Sequence, residues 1–261
     1  MVDRLAGLGI VVTGAGQGIG RAIAQGLARE GAYVGLADRD QEALQATLAL
    51  IEADGGRALP LVVDVSERRE VSRALDAFVS DVGRLDVVFN NAGVNKPMPF
   101  LEVTEENWNM IMRVNALGTL IGIQEAAKRM IPSRRGKIIN TSSIAGRQGY
   151  PSFAPYSASK FAVNALTQAA ARALAPYGIT CNAFAPGAVD TPLWKQLDTD
   201  FVEIGESEQP GTALKNFAGG SLLGRPVQPE ELVGIATFLA SSESDCVTGQ
   251  VFMVDGGMVL V

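Results

Sequence analysis

The stretch PYSASKFAVNAL sets Tyr156 and Lys160 four residues apart, one helical turn, in a chain that contains no histidine. Without an imidazole, Ser-His-Asp catalysis and imidazole-bearing zinc sites are excluded, and proton transfer near neutral pH must come from another group. A phenol is a feeble acid with an ordinary pKa of about 10. An ammonium ~5 Å from its oxygen, at an effective dielectric of about 20, favours the phenolate by ~3 kcal/mol. That corresponds to roughly two pKa units and brings the phenol within reach of the range where a base works well. Ser143, closing the run IINTSS, offers a hydroxyl that could meet the phenol. Its neighbour Ser142 falls on the opposite face by strand alternation. Asn115 lies inside the helical run NWNMIMRVNALGTL, where an amide needs either solvent or a buried partner.

These groups need a scaffold, and the chain's periodicity supplies one. LGIVVTG, AYVGLAD, ALPLVVDV, LDVVFNN, KIINTSS, ITCNAFAPG and QVFMVDGG each read as a buried strand. Between them helices are predicted at 19–30, 40–54, 67–82, 104–131, 155–176 and 229–240. Such alternation implies a parallel sheet covered by helices on both faces. No linker or shift in composition divides residues 1–261, so a single α/β domain is expected. The least patterned stretch is 187–224, where Gly, Pro, Trp and acidic residues mix. It follows the sixth strand on the sheet's carboxyl edge, where open α/β sheets bind ligands, and is expected to cover a substrate.

Composition narrows the classes further. A hydrophobic fraction of 47% is ample for a large core, and the apolar stretches are too short to span a membrane. A net charge of −6 without a basic cluster argues against nucleic acid as a partner. The amino terminus, MVDRLAGLGIVVTG, runs into the first strand without the pattern of a secretory signal, so a cytoplasmic location is expected. Cys181 and Cys246 have neither metal-site nor framework spacing and read as two buried thiols; no metal site is expected.

The first strand ends in Thr13-Gly14-Ala15-Gly16-Gln17-Gly18-Ile19-Gly20 and leads into a helix. Glycines there let the backbone approach a pyrophosphate, whose charge the helix's free N–H groups and dipole favour. Asp38 ends the second strand, where a carboxylate can accept from a ribose 2′-hydroxyl and repels a 2′-phosphate. NAD is therefore expected over NADP, although the adjacent Arg39 could accommodate a phosphate. More polar strand ends gather on the same edge: Asp64-Val65 after the third strand and Asn90-Asn91-Ala92-Gly93 after the fourth.

Taken in order, TGxxxGxG, NNAG, Asn115, Ser143, Tyr156, Lys160, Pro186-Gly187 and the terminal VDGG resemble the short-chain dehydrogenase/reductase family over essentially the whole chain. The resemblance implies a Rossmann-like, doubly wound, seven-stranded sheet. It makes Tyr156 the general acid/base and Ser143 the donor to the substrate oxygen. Lys160 would hold the nicotinamide ribose, and Asn115 a water linking Lys160 to solvent. In PGAVDTPLW, Thr191 resembles the residue that binds the nicotinamide carboxamide, and Val189 the backbone contact beside it. TPLWKQLD is similar to the loop of polyol and vicinal-diol dehydrogenases, which implies NAD-linked interconversion of a secondary alcohol and ketone on a small polyol, diol or acetoin-like substrate. Asn95, Gln148 and Trp194 are the candidates to touch it. A 3-oxoacyl thioester reductase using NADPH and acyl carrier protein is the alternative, which Asp38 opposes. A nucleotide-sensing protein without chemistry is more remote. Small residues in helices 104–131 (Gly118, Gly122) and 155–176 (Ala162 to Ala175) suggest a subunit contact, and the resemblance implies a homotetramer.

Overall fold

Within β1 (Gly9–Thr13), neighbouring side chains part company. Ile10 and Val12 enter one core, Val11 the other. The same split recurs at Val87 and Phe89 against Val88, and at Ile139 against Ile138. A strand buried on both faces is apolar without interruption, which is why these runs carry no polar alternation. The computed structural model describes residues 3–209 and 211–260; Met1, Val2, Pro210 and Val261 lie outside them.

Seven parallel strands form one sheet in the order β3-β2-β1-β4-β5-β6-β7. The others are β2 (Tyr33–Asp38), β3 (Arg57–Val62), β4 (Val87–Asn90), β5 (Gly136–Thr141), β6 (Ile179–Pro186) and β7 (Val251–Val254). One face is covered by α1 (Gly18–Arg29), α2 (Gln41–Ala53) and α9 (Val233–Ala240), which contribute Ile23, Leu27, Leu44, Ile51 and Leu239. The other carries α3 (Arg68–Val82), α5 (Gly118–Met130) and α6 (Ala154–Leu174), with Phe78, Ile121, Met130 and Leu174 inside. Each large side chain fully buried in this way contributes about 1.5–3 kcal/mol. Strand order reverses between β1 and β4, so the crevice beyond their carboxyl ends is the natural place for a ligand.

The structure corrects several expectations. Helix 104–131 is broken: α4 (Glu105–Ile111) passes through a π-helical turn, Met112–Leu117, before α5 begins. Helix 229–240 opens as a 3-10 turn, Pro229–Leu232, before α9. The segment 187–224 is not irregular throughout, for it forms α7 (Pro192–Glu203) and α8 (Ala213–Ala218). Asp198 joins the two by accepting from the Ala213 N–H at 2.7 Å. Gly118 and Gly122 face the sheet rather than solvent. A Cβ at 122 would lie 2.0 Å from Asn90 Oδ1, and one at 118 would lie 3.0 Å from Val65 Cγ2. Cys181 is buried, and burial pushes its thiol up to about 12, but Cys246 is exposed, so the thiols are not a buried pair. Among the described residues, no helix is long and apolar enough to cross a membrane.

Candidate active site

The turn after β1 is shaped by close approach. A Cβ at Gly20 would lie 2.0 Å from the Gly14 carbonyl oxygen, and one at Gly16 would lie 2.8 Å from Asp38 Oδ2. With hydrogen in those places, the turn folds tightly back on α1. Gln17, at the N-cap of α1, makes no side-chain capping bond, and no acid stands in the first turn. Unclaimed N–H groups at a positive helix end favour an anion. Asp38 is fixed by two backbone donors, Gly16 N to Oδ2 at 3.0 Å and Asp40 N to Oδ1 at 3.1 Å. Thr13 ties β1 to the loop after β4, its Oγ1 accepting from Asn91 N at 2.9 Å and Ala92 N at 3.0 Å.

Together these elements wall a cleft of about 290 Å³. Gly14, Gln17, Gly18, Ile19, Gly20 and Asp38 line one side of it. Asp64, Val65, Asn91, Ala92, Gly93 and Thr191 line it as well, and Tyr156 and Lys160 stand at its inner end. A tight glycine cradle, an unsatisfied helix N-terminus and a fixed carboxylate at the next strand end suit a dinucleotide: pyrophosphate at α1, ribose at Asp38. Thr191 occupies the N-cap position of α7, yet its hydroxyl makes no capping bond and lines the cleft. Of the remaining cofactor candidates, Pro186 ends β6 and lines neither this cleft nor its neighbour, and Gly187 lines the smaller cavity described below. Val189 packs its side chain into the core and pairs with Val227.

At the inner end, Tyr156 and Lys160 project from α6 toward one point, with Lys160 Nζ 5.5 Å from the centre of the Tyr156 ring. Lys160 is buried, and Nζ donates to the Thr141 carbonyl at 2.8 Å. Burial pushes the Tyr156 phenol up to about 12, against a smaller opposing effect of the Ser143 hydroxyl. Burial also lowers the Lys160 ammonium to about 8. Within the chain alone, loss of water therefore outweighs the Ser143 hydrogen bond that favours the phenolate.

Asn115 sits in the π-helical turn, a distortion frequent at functional sites. Its amide clamps the loop after β4: Oδ1 accepts from Val94 N at 2.8 Å, while Nδ2 donates to Val94 O at 2.9 Å and to Ser159 Oγ at 3.1 Å. The side chain is thus engaged with protein.

A second cavity of about 50 Å³ adjoins Tyr156 and Ser143. Trp194 and Leu197 from α7, Phe217 from α8, and Phe153, Ile144 and Asn95 complete most of its wall. Gln148 is not among its residues. That side chain is exposed, and its Nε2 donates to the Tyr150 hydroxyl at 2.6 Å. Sequence reasoning missed Phe153, Tyr150 and Phe217, aromatic residues whose convergence depends on how α8 folds back. It also missed Thr141, whose backbone carbonyl holds Lys160 and carries no side-chain signal.

Residues 9–201 match the family described as "short chain dehydrogenase". An L-2,3-butanediol dehydrogenase of Corynebacterium glutamicum is 44% identical over 252 residues, covering 95% of this chain and 97% of that protein. A diacetyl reductase, (S)-acetoin forming, of Staphylococcus epidermidis is 39% identical over 250 residues, with the same two coverages of 95% and 97%. Among solved structures, an NAD+-bound xylitol dehydrogenase superposes with a TM-score of 0.92 at 32% identity, covering 97% of this chain and 100% of that one. The chain belongs to the short-chain dehydrogenase family, oxidoreductases that act on CH–OH groups with NAD or NADP.

Proposed function

We propose that the protein interconverts a small vicinal diol or hydroxyketone with the corresponding ketone, using NAD(H). The observation that carries this reading is the compact cavity of about 50 Å³ beside Ser143 and Tyr156, room for only a few heavy atoms. Pockets for drug-sized ligands run to several hundred Å³. Asp38 disfavours the NADPH that a 3-oxoacyl thioester reductase would use. The similarity to butanediol and diacetyl enzymes points the same way.

In this reading Gly14, Gln17, Gly18, Ile19 and Gly20 would hold the pyrophosphate and Asp38 the adenosine ribose, with Thr191 and Lys160 at the nicotinamide end. When bound, the oxidised nicotinamide supplies a hydride acceptor and a positive charge near the phenol. Ser143 Oγ donates to the substrate oxygen and fixes the reacting carbon. Tyr156 Oη takes the hydroxyl proton during oxidation and returns one to the carbonyl oxygen during reduction. Lys160, held by the Thr141 carbonyl, keeps a cation beside the Tyr156 ring and favours the phenolate whenever it forms. Asn115 fixes residue 94 and with it the wall of the cleft. Trp194, Leu197 and Phe217 make the wall beside the transfer apolar.

Initial rates across butanediol, acetoin, diacetyl, sugar alcohols and a 3-oxoacyl thioester test the reading. The four-carbon substrates are expected to give the highest kcat/KM. Preference for the thioester, or no turnover of any diol or hydroxyketone, overturns it.

The same proposal includes a homo-oligomer. Trp108 on α4, Leu117 in the π-helical turn and Phe161 on α6 are large apolar side chains left 43%, 43% and 47% exposed on these helices. They support a helix-to-helix contact between copies, a homotetramer by family resemblance. Light scattering is expected to read a multiple of the 27.4 kDa chain mass, and a monomer at micromolar concentration removes this part.

A further inference from the structure

The wall of the small cavity contains a polar group that the catalytic pair does not explain. Asn95 is only 5% exposed, and its Oδ1 is buried with no hydrogen-bond partner among the described residues. It lines the same cavity as Ser143 and Tyr156. A buried acceptor without a partner is costly, and native proteins leave few of them. Tyr150, another polar residue of this wall, already has its hydroxyl engaged by Gln148.

The backbone around Asn95 is fixed on both sides. Val94 is bonded through both N–H and C=O to the Asn115 amide. Lys96 O accepts from Asn107 Nδ2 at 3.1 Å, and Met98 N donates to Ser152 O at 3.1 Å. Three successive anchors, at residues 94, 96 and 98, hold Asn95 in place. Such rigidity suits a recognition group, since little order remains to be gained when the ligand arrives.

We propose that Asn95 is the specificity residue that binds the second oxygen, on the carbon next to the one Tyr156 and Ser143 act on; this rests on the vicinal reading above. An amide offers both an acceptor and two donors. It can accept from a neighbouring hydroxyl through Oδ1 or donate to a neighbouring carbonyl through Nδ2. One side chain therefore serves a diol, a hydroxyketone and a diketone, the oxidation states that such an enzyme connects. A carboxylate, which only accepts, would serve the hydroxyl and not the carbonyl.

The test compares 2,3-butanediol with 2-butanol, which lacks the second oxygen, in the wild type and in Asn95→Leu. The ratio of kcat/KM values, diol over mono-alcohol, is expected to fall about tenfold in the variant, as one lost hydrogen bond implies. Asn95→Ala carries the same comparison should the leucine variant fail to fold. A ratio within threefold of the wild type overturns the assignment, whether both substrates weaken together or neither does. Failure of the functional reading looks different: the wild type then turns over no four-carbon diol or hydroxyketone. Asn95 is in that case judged on the best secondary alcohol found, against its analogue without the adjacent oxygen, by the same threefold limit.

Discussion

Replacing Tyr156 with phenylalanine is expected to lower kcat about 10³-fold while leaving NADH affinity within about threefold, the span general acid–base groups contribute being 10²–10⁴. The substitution removes one oxygen from a ring that packs edge-on against Phe153 with centroids 5.9 Å apart. That packing survives, so the fold and the cleft should survive with it. The chain has no histidine to take over the proton, and Lys160 Nζ is engaged by the Thr141 carbonyl. Single-turnover rates and fluorescence titration with NADH separate the two effects. Turnover within tenfold of the parent would take Tyr156 out of the role.

The pH dependence carries a sign as well. Burial pushes the phenol up to about 12 in the chain itself, so below that value it stays protonated. Reduction of a ketone, which needs the proton, should hold its rate through neutral pH and fall only on the alkaline side. Oxidation of an alcohol, which needs the phenolate, should rise with pH. An apparent pKa for oxidation well below 12 measures how far charge in the ternary complex offsets burial. In the phenylalanine variant the residual oxidation rate should lose that slope.

What the sequence made legible follows from local rules. The central strands were readable because burial on both faces demands an uninterrupted apolar run, as in GIVVT and VVFN. The glycine turn and Asp38 were readable because their spacing belongs to one strand–helix–strand unit, and the structure brings both to the same cleft. The segment 187–224 was misjudged because Pro192 opens α7, and acidic residues obscure the spacing of Leu193, Trp194, Leu197 and Phe201 on its buried face. The break at Met112–Leu117 left no compositional mark, since a π-helical turn is built from ordinary helix formers. Desolvation of Tyr156 was invisible for a deeper reason. It depends on the whole enclosing shell, Phe153 and Trp194 included, whereas the attraction of Lys160 depends on one neighbour four residues away.

Asp38→Asn is expected to move the ratio of kcat/KM for NAD over NADP toward NADP by about 10²-fold, equivalent to ~2.7 kcal/mol. The wild-type carboxylate is held by the Gly16 and Asp40 N–H groups, so it cannot swing away from a cofactor. A 2′-phosphate arriving there brings nearly two negative charges to within a few ångströms of it. At ~4 Å and an effective dielectric of about 20, one such like-charge pair costs ~4 kcal/mol. Arg39, exposed at the edge of the same cleft, offsets part of that cost, which is why the expected change is smaller than the bare repulsion. Asparagine keeps one oxygen, for the Gly16 N–H, while its Nδ2 cannot accept from the Asp40 N–H as Oδ1 does, so the charge disappears at the cost of one backbone hydrogen bond. The double variant Asp38→Asn/Arg39→Ala then isolates the guanidinium. If Arg39 receives the phosphate once the carboxylate is gone, the double variant returns the NADP gain and leaves the NAD rate near that of Asp38→Asn. A ratio that moves less than threefold in the single variant would mean that the ribose end of the cofactor does not lie against Asp38.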